Sequence, residues 1–251
     1  MNDSKRFPTV SIFGVPFSKM SMADTVAYLT EAIESRKPHQ VITANPIMVM
    51  TALQSPEYMA MMKRAELIVP DGTGVVWAAS YVGNPVAERV PGIELIHKLF
   101  AVCERRGWKV YLLGAAPDVI REAGLKIAQQ FPSLNLVGVQ DGYFGPNEDA
   151  EVLESIREAA PDLLLVGRSV EGQEPWIDRY KSQLQVPVVI GVGGSFDVIS
   201  GRLKRAPVLF QKLRLEWLHR LLKEPKRYKR MLALPKFAVK VIREKENVQK
   251  T

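Results

Sequence analysis

An α/β fold with a mostly parallel sheet flanked by helices is the class this sequence predicts, on three observations. Short apolar runs alternate along the chain with segments of about a dozen residues whose apolar side chains recur at helical spacing. Several runs are apolar at every position, Leu163, Leu164, Leu165 and Val166 among them, as expected of strands covered on both faces. The run-then-helix order repeats, which indicates βαβ units around a parallel sheet.

Taken in order, residues 9–13 form a short strand. Residues 21–35 form a helix with Met22, Val26, Leu29 and Ile33 on one side, opened by a Ser-Met-Ala-Asp start of capping-box type. A strand at 40–43 and a helix at 47–53 follow, then a third strand at 67–69 that runs into Pro70-Asp71-Gly72-Thr73-Gly74. A helix over 93–106 leads to a buried strand over 108–113, which ends in Gly114-Ala115-Ala116-Pro117. Next come a helix at 117–130, a strand at 135–139, a helix at 149–159 and buried strands at 163–166 and 186–192. After Gly201 the pattern becomes helical and basic. Residues 207–222 mix Phe210, Trp217 and several leucines with Lys and Arg, a basic helix starts at Pro225, and 231–242 is apolar with Lys236 and Lys240 interleaved.

The length of 251 residues suits one large α/β domain, or a medium one with an appendage. The expected division is a catalytic core over 1–201 and a basic amphipathic helical appendage over 202–251. Hydrophobic residues make up 47% and charged ones 24%, enough apolar material for a core. The opening residues are polar with no apolar stretch behind them, so no signal peptide is expected. No apolar run approaches the roughly 18 residues of a spanning helix. A single cysteine, Cys103, excludes an internal disulfide and fits a reducing cytoplasm. His39, His97 and His219 are scattered without a zinc-like spacing, so no metal site is expected.

The net charge of +7 conceals an asymmetry. Residues 202–251 hold 16 Lys and Arg against 4 Asp and Glu, a net of +12, which leaves −5 for the body. An acidic body with a basic tail calls for an anionic partner: nucleic acid, anionic lipid or a phosphorylated substrate.

In an open parallel sheet the loops after the strands form the ligand crevice, and here they carry several candidates. Thr43 and Asn45 suit contact with a sugar hydroxyl, and Asn45 equally suits a helix cap. Asp71, at a strand end beside two glycines, suits a general base or a simple Asp-Gly turn. The turn at Gly114 offers backbone amides to a phosphate, without a complete glycine-rich fingerprint. Gly193 and Gly194 bring bare backbone near a nucleotide or pack a strand on a helix, and Asp197 suits a base or ribose contact. In the tail, Arg220, Arg227 and Arg230 are seven and three residues apart, roughly one helical face. Their guanidinium groups suit phosphate, and their apolar neighbours Trp217, Phe210 and Phe237 suit a helix lying in a membrane interface.

Longer motifs carry a resemblance. Thr43-x-Asn45, Val69-Pro70-Asp71-Gly72-x-Gly74, Glu88-Arg89-Val90-x-Gly92, Tyr111-Leu112-Leu113-Gly114, Gly142-Tyr143-Phe144, Gln173-Glu174-x-Trp176-Ile177, Gly193-Gly194-x-Phe196-Asp197 and Lys204-Arg205-Ala206-Pro207 occur in the order of the bacterial WecG/TagA/CpsF glycosyltransferases. Glu216-Trp217-Leu218-x-Arg220 and Glu224-Pro225-x-Arg227 extend the match, so almost the whole chain resembles that family. It is most similar to the wall teichoic acid branch, whose members move N-acetylmannosamine (ManNAc) from UDP-ManNAc onto undecaprenyl-diphosphate-linked GlcNAc.

The resemblance implies a Rossmann-like core, a membrane-associating C-terminal appendage, inversion at the anomeric carbon, and no cofactor or essential metal. It assigns the catalytic base to Asp71 and support of the leaving UDP to Arg220, Arg227 and Arg230. It also implies that Thr43 and Asn45 line the pocket of that base and that Arg89 and Gln173 fall at substrate-contacting positions, which makes all four substrate-binding candidates. The expected partners are a UDP-sugar donor, a polyprenyl-diphosphate-linked GlcNAc acceptor and the anionic inner face of the cell membrane, with a homo-oligomer allowed and no nucleic acid. One stretch departs from the pattern. Where the family has Gly-x-Pro-Lys-Gln-Glu-Lys-Trp, this chain keeps Gln173, Glu174 and Trp176 but replaces the Pro and both Lys by Glu171, Gly172 and Pro175. The alternatives are a same-family enzyme using UDP-ManNAcA or a hexose donor, a nucleic-acid-binding α/β protein, and a non-catalytic scaffold.

Overall fold

The computed structural model describes residues 7–249 except 205, 208, 211–215, 224, 226 and 227; the side chains at 170, 171, 220 and 223 also lie outside the description. The chain opens on an antiparallel hairpin of β1 (Thr9–Ile12) and β2 (Val15–Ser18). Both turn residues, Phe13 and Gly14, have positive φ, as the two-residue turn matching strand twist requires. Beyond it stands the main sheet: β3 (His39–Ala44), β4 (Leu67–Pro70), β5 (Lys109–Gly114), β6 (Asn135–Gln140), β7 (Leu163–Gly167) and β8 (Val188–Gly191). Their order across the sheet is β4-β3-β8-β7-β5-β6, and every neighbouring pair is parallel.

Alternation along each strand sorts the side chains to two faces. Val41, Leu67, Val110, Leu112, Leu163, Leu165 and Ile190 pack with α1 (Met22–Ser35), α5 (Gly92–Arg106), α6 (Pro117–Gln130) and α9 (Ser195–Ile199). On the other face Tyr111, Leu113, Leu164 and Val166 meet α7 (Asp149–Ala159) and α8 (Val170–Leu184). Ile42 and Ile68 meet α2 (Pro46–Gln54), α3 (Pro56–Arg64), α4 (Thr73–Tyr81) and the hairpin there. The chain thus leaves β3 toward one face and β8 toward the other, and the same holds for β7 and β5. Neighbouring connections diverge at these strand ends, the kind of place where open α/β sheets bind ligands.

The predicted start of α1 is realised: Ser21 and Asp24 cap each other's backbone N–H groups. Elements that the sequence reading passed over are β2, α3, α4, α8 and α9. In the last part, α10 (Glu216–Lys223) and α11 (Tyr228–Met231) precede α12 (Ala233–Arg243). Among the described residues no helix is long and apolar enough to cross a membrane.

One expectation is corrected here. Phe237, read as part of a membrane-facing apolar row, is 1% exposed and meets Phe13 edge-on. With Val241 and Val248 it completes the core around the hairpin, and Phe13 N–H donates to the Val248 carbonyl at 2.7 Å. The final helix is therefore two-faced: one side closes a core, while Val239 and Ile242 point outward.

Candidate active site

The ends of β3, β4, β7 and β8 and the turn after β5 border a cleft of about 1490 Å³. Thr43, Asn45, Asp71, Arg89, Gln173, Gly193, Gly194, Asp197 and Arg230 all line it, so residues spread over most of the chain meet at one place. Gly114 does not line it. A Cβ there would stand 2.2 Å from the Gly167 carbonyl oxygen, so this glycine lets β5 approach β7, and Ala115 and Ala116 face the cleft instead. Arg227 and the side chain of Arg220 lie outside the described residues; the backbone of Arg220 is in α10.

At the floor, Asn45 caps α2, its Oδ1 accepting from Ile47 N and Met48 N at 2.9 and 3.3 Å. Capping and cleft lining are thus both true of Asn45. The glycines flanking Thr73 have a structural cause that the sequence did not disclose. A Cβ on Gly72 would lie 2.5 Å from Pro46 Cδ, and one on Gly74 would lie 2.7 Å from Pro46 Cγ. They let the Asp71 turn nest against the Asn45-Pro46 turn rather than admit a ligand. Thr43 Oγ1 donates to the Gly191 carbonyl at 3.1 Å and ties β3 to β8 beside the cleft.

Asp71 follows β4 and is held by Arg89 from the loop between α4 and α5. Arg89 Nε donates to the Asp71 carbonyl at 2.5 Å, Nη2 reaches the Asp71 carboxylate at 3.4 Å, and Nη1 donates to Glu216 Oε2 at 2.9 Å. Burial opposes the Arg89 charge, but Asp71 and Glu216 together outweigh it and hold its pKa above the ordinary guanidinium value. One fork-shaped cation thereby joins the candidate base to α10, a task suited to the planar guanidinium.

Gln173 works from behind. Its Oε1 accepts from Gly193 N at 2.9 Å and Arg168 N at 3.3 Å, so it binds together the turns after β8 and β7. Its Nε2 donates to Glu174 Oε1 at 2.8 Å. The other Glu174 oxygen accepts from Gln40 Nε2 at 3.0 Å. A Cβ on Gly191 would fall 1.9 Å from Glu174 Oε1, so that glycine makes room for the pair. Burial pushes the Glu174 carboxyl up to about 7, against the two amide hydrogen bonds, which lower it. Gln173 is a positioning residue in this arrangement, and the Gly193 N–H is already engaged by it. At Gly193, φ is +49° and a Cβ would meet nothing within 4 Å, so its outer side is open cleft.

Sequence reasoning missed Arg168, Glu174 and Glu216 as parts of the site. Glu174 and Glu216 stood in the recognised motifs, but nothing local announced that their partners would be Gln40 and Arg89. Among the described residues no three His, Cys, Asp or Glu side chains gather as a metal site would need.

The sequence model of the glycosyl transferase WecG/TagA/CpsF family matches residues 10–251. A protein of Bacillus spizizenii W23, named N-acetylglucosaminyldiphosphoundecaprenol N-acetyl-beta-D-mannosaminyltransferase, is 35% identical over 94% of this chain and 91% of its own length. Proteins of the same name from Bacillus subtilis 168 and Staphylococcus aureus MW2 are 34% and 35% identical, covering 95% and 96% of this chain and 93% and 95% of their own.

Proposed function

The chain belongs to the WecG/TagA/CpsF glycosyltransferase family, and from that premise we propose that it transfers N-acetylmannosamine from UDP-ManNAc to undecaprenyl-diphosphate-linked GlcNAc with inversion. The observation that carries the reading is the placement of Asp71, clamped by Arg89, in the same cleft as Arg230 of the C-terminal part. A one-step displacement needs a base at the attacking hydroxyl and positive charge at the departing diphosphate. The Asp71 carboxylate takes the proton of the acceptor hydroxyl as its oxygen bonds to the anomeric carbon. The bond from that carbon to UDP breaks on the opposite side, and UDP leaves with the electron pair. Arg230, joined by Arg220 and Arg227 of the same basic segment, stabilises the charge that develops there. Gln173 and Thr43 keep the strand ends in register under the donor.

The appendage has a second task in this proposal. Leu222, Leu232, Val239 and Ile242 are exposed large apolar side chains, and they belong to a segment, residues 202–251, of net charge +12. Such a surface favours anionic bilayers, where a lipid-linked acceptor resides, and supports a peripheral position of the enzyme on the cytoplasmic face of the membrane. The deciding experiment is UDP release from a panel of UDP-sugars with a short-chain lipid-diphosphate-GlcNAc acceptor. Turnover with UDP-ManNAc well above all others is the expected result. Preference for a different donor would leave the family assignment standing and replace the sugar.

A further inference from the structure

Arg168 lies where β7 gives way to α8 and lines the cleft. It is the only basic residue between positions 158 and 178. Its guanidinium lies over the Phe144 ring, 4.0 Å from the centroid, and Nη2 donates to the Phe144 carbonyl at 2.9 Å. That ring is itself braced: it meets Trp176 edge-on at 6.0 Å, and Trp176 meets Tyr180 at 5.4 Å. Trp176 Nε1 and the Tyr180 hydroxyl donate to the two carboxylate oxygens of Asp149 at 2.9 and 2.8 Å. The platform under Arg168 therefore rests on a buried, fully engaged acid.

That arrangement costs more than a loop needs. Arg89 and Arg202, also on the cleft, are each in an ion pair. Among the described residues Arg168 has no carboxylate within ion-pair distance, and its guanidinium makes no hydrogen bond beyond the one to Phe144. Asp149 attracts it from a distance but is occupied by Trp176 and Tyr180. A partly desolvated cation held rigidly on an aromatic ring, with most of its fork of N–H groups turned to no protein acceptor, is a site for an anion. Gly142 and Gly167 line the same cleft, each pressed against protein: a Cβ on Gly142 would lie 3.0 Å from Gly114 Cα and one on Gly167 2.6 Å from Phe196 Cδ2.

We infer that Arg168 binds an anionic group of the donor, either a phosphate of its diphosphate or a carboxylate on its sugar, and so sets which donors are accepted. The inference rests on the UDP-sugar reading above and adds to it a residue and a selectivity. The test is ligand-detected NMR titration of the full chain and its R168Q and R168K variants with uridine, UDP, UDP-glucose and UDP-glucuronic acid. The last two differ only in a hydroxymethyl against a carboxylate. Losing a charge-assisted contact should weaken binding about tenfold or more, with uridine unchanged and R168K falling between wild type and R168Q. A loss shared by the three diphosphates assigns the contact to phosphate; a loss confined to UDP-glucuronic acid assigns it to the sugar carboxylate. Equal affinities in wild type and both variants would overturn the inference, as would a parallel loss for uridine, the sign of a loosened loop. Should R168Q fail to fold, R168K carries the same comparison, with an unchanged diphosphate affinity counting against the inference. A wild-type chain that binds none of the four would sink the UDP-sugar reading, and this inference with it.

Discussion

At the scale of single residues, the proposed base and the side chain that orients it are distinct groups. Asp71 is oriented at both its carbonyl and its carboxylate by Arg89. Asp71→Asn preserves that shape but cannot accept the acceptor's proton. Turnover should therefore fall at least about a hundredfold, the scale of a lost general base, with the melting temperature nearly unchanged. Steady-state UDP release beside a thermal melt checks this, and near-wild-type turnover by the folded variant would remove Asp71 from the mechanism. Glu174 is 1% exposed and held by Gln173 and Gln40, so its effect is read through stability. Its carboxyl is raised by burial from 4.5 to about 7, so the folded chain holds the proton more tightly than the unfolded one. Below about 4.5 both states are protonated and no penalty exists. Between there and about 7 stability falls as pH rises, and above that the penalty is constant, on the order of 3 kcal/mol. Urea unfolding between pH 5 and 8 should show that decline in the wild type and its absence in Glu174→Gln. Identical pH profiles would mean that another group titrates.

At the scale of elements, what the sequence disclosed depended on whether the cause was local. β5, β7 and β8 were legible because their positions are apolar apart from Lys109 at the start of β5, and α1 because its caps and its apolar stripe lie within one segment. By contrast, α4 was hidden because Val75, Val76, Trp77, Ala78 and Ala79 give no polar face to count against. The helix α8 was masked by Gly172 and by Pro175, which costs a helix a backbone hydrogen bond. The hairpin strand β2 was masked by Pro16, tolerable in a two-stranded ribbon. In the site, the turn chemistry of Asn45 and Asp71 could be read. The interlock of Gly72 and Gly74 with Pro46, and the Arg89 bridge to Glu216, are tertiary and could not. That bridge yields a test of how α10 is coupled to the β4 turn. A lysine presents a point charge and cannot serve a carbonyl and two carboxylates in one plane. Arg89→Lys should therefore lower turnover about tenfold or more, and Glu216→Gln, which keeps an acceptor for Nη1, should lower it less. A lysine variant with wild-type kcat would mean that the bridge is a packing feature only.

At the scale of the whole molecule, the charge asymmetry and the two-faced last helix bear on one question: whether the C-terminal part can be an anchor and a structural element at once. Deleting it would not separate the roles, because Phe237, Val241 and Val248 close the core around the hairpin. Truncating a buried phenylalanine of this kind costs about 3 to 5 kcal/mol, so loss of activity after deletion would report unfolding as readily as detachment. The outward face allows a cleaner separation. Val239 and Ile242 are 47% and 54% exposed, and Val239 shares a shallow groove with Lys236, Lys240 and Arg243. Each basic group near an anionic bilayer contributes on the order of 1 kcal/mol, and each buried apolar side chain about as much again or more. Replacing Val239 and Ile242 together by glutamate removes two apolar contacts and adds two repelled charges, while touching neither the core nor the cleft. The double variant should melt like the wild type and keep its turnover on a water-soluble short-chain acceptor. It should lose most of its flotation with anionic liposomes and most of its turnover on acceptor embedded in them. Undiminished flotation would mean that this face of α12 does not meet the bilayer; loss of turnover on the soluble acceptor would mean that the face serves the cleft, and the division of labour between its two sides would be wrong.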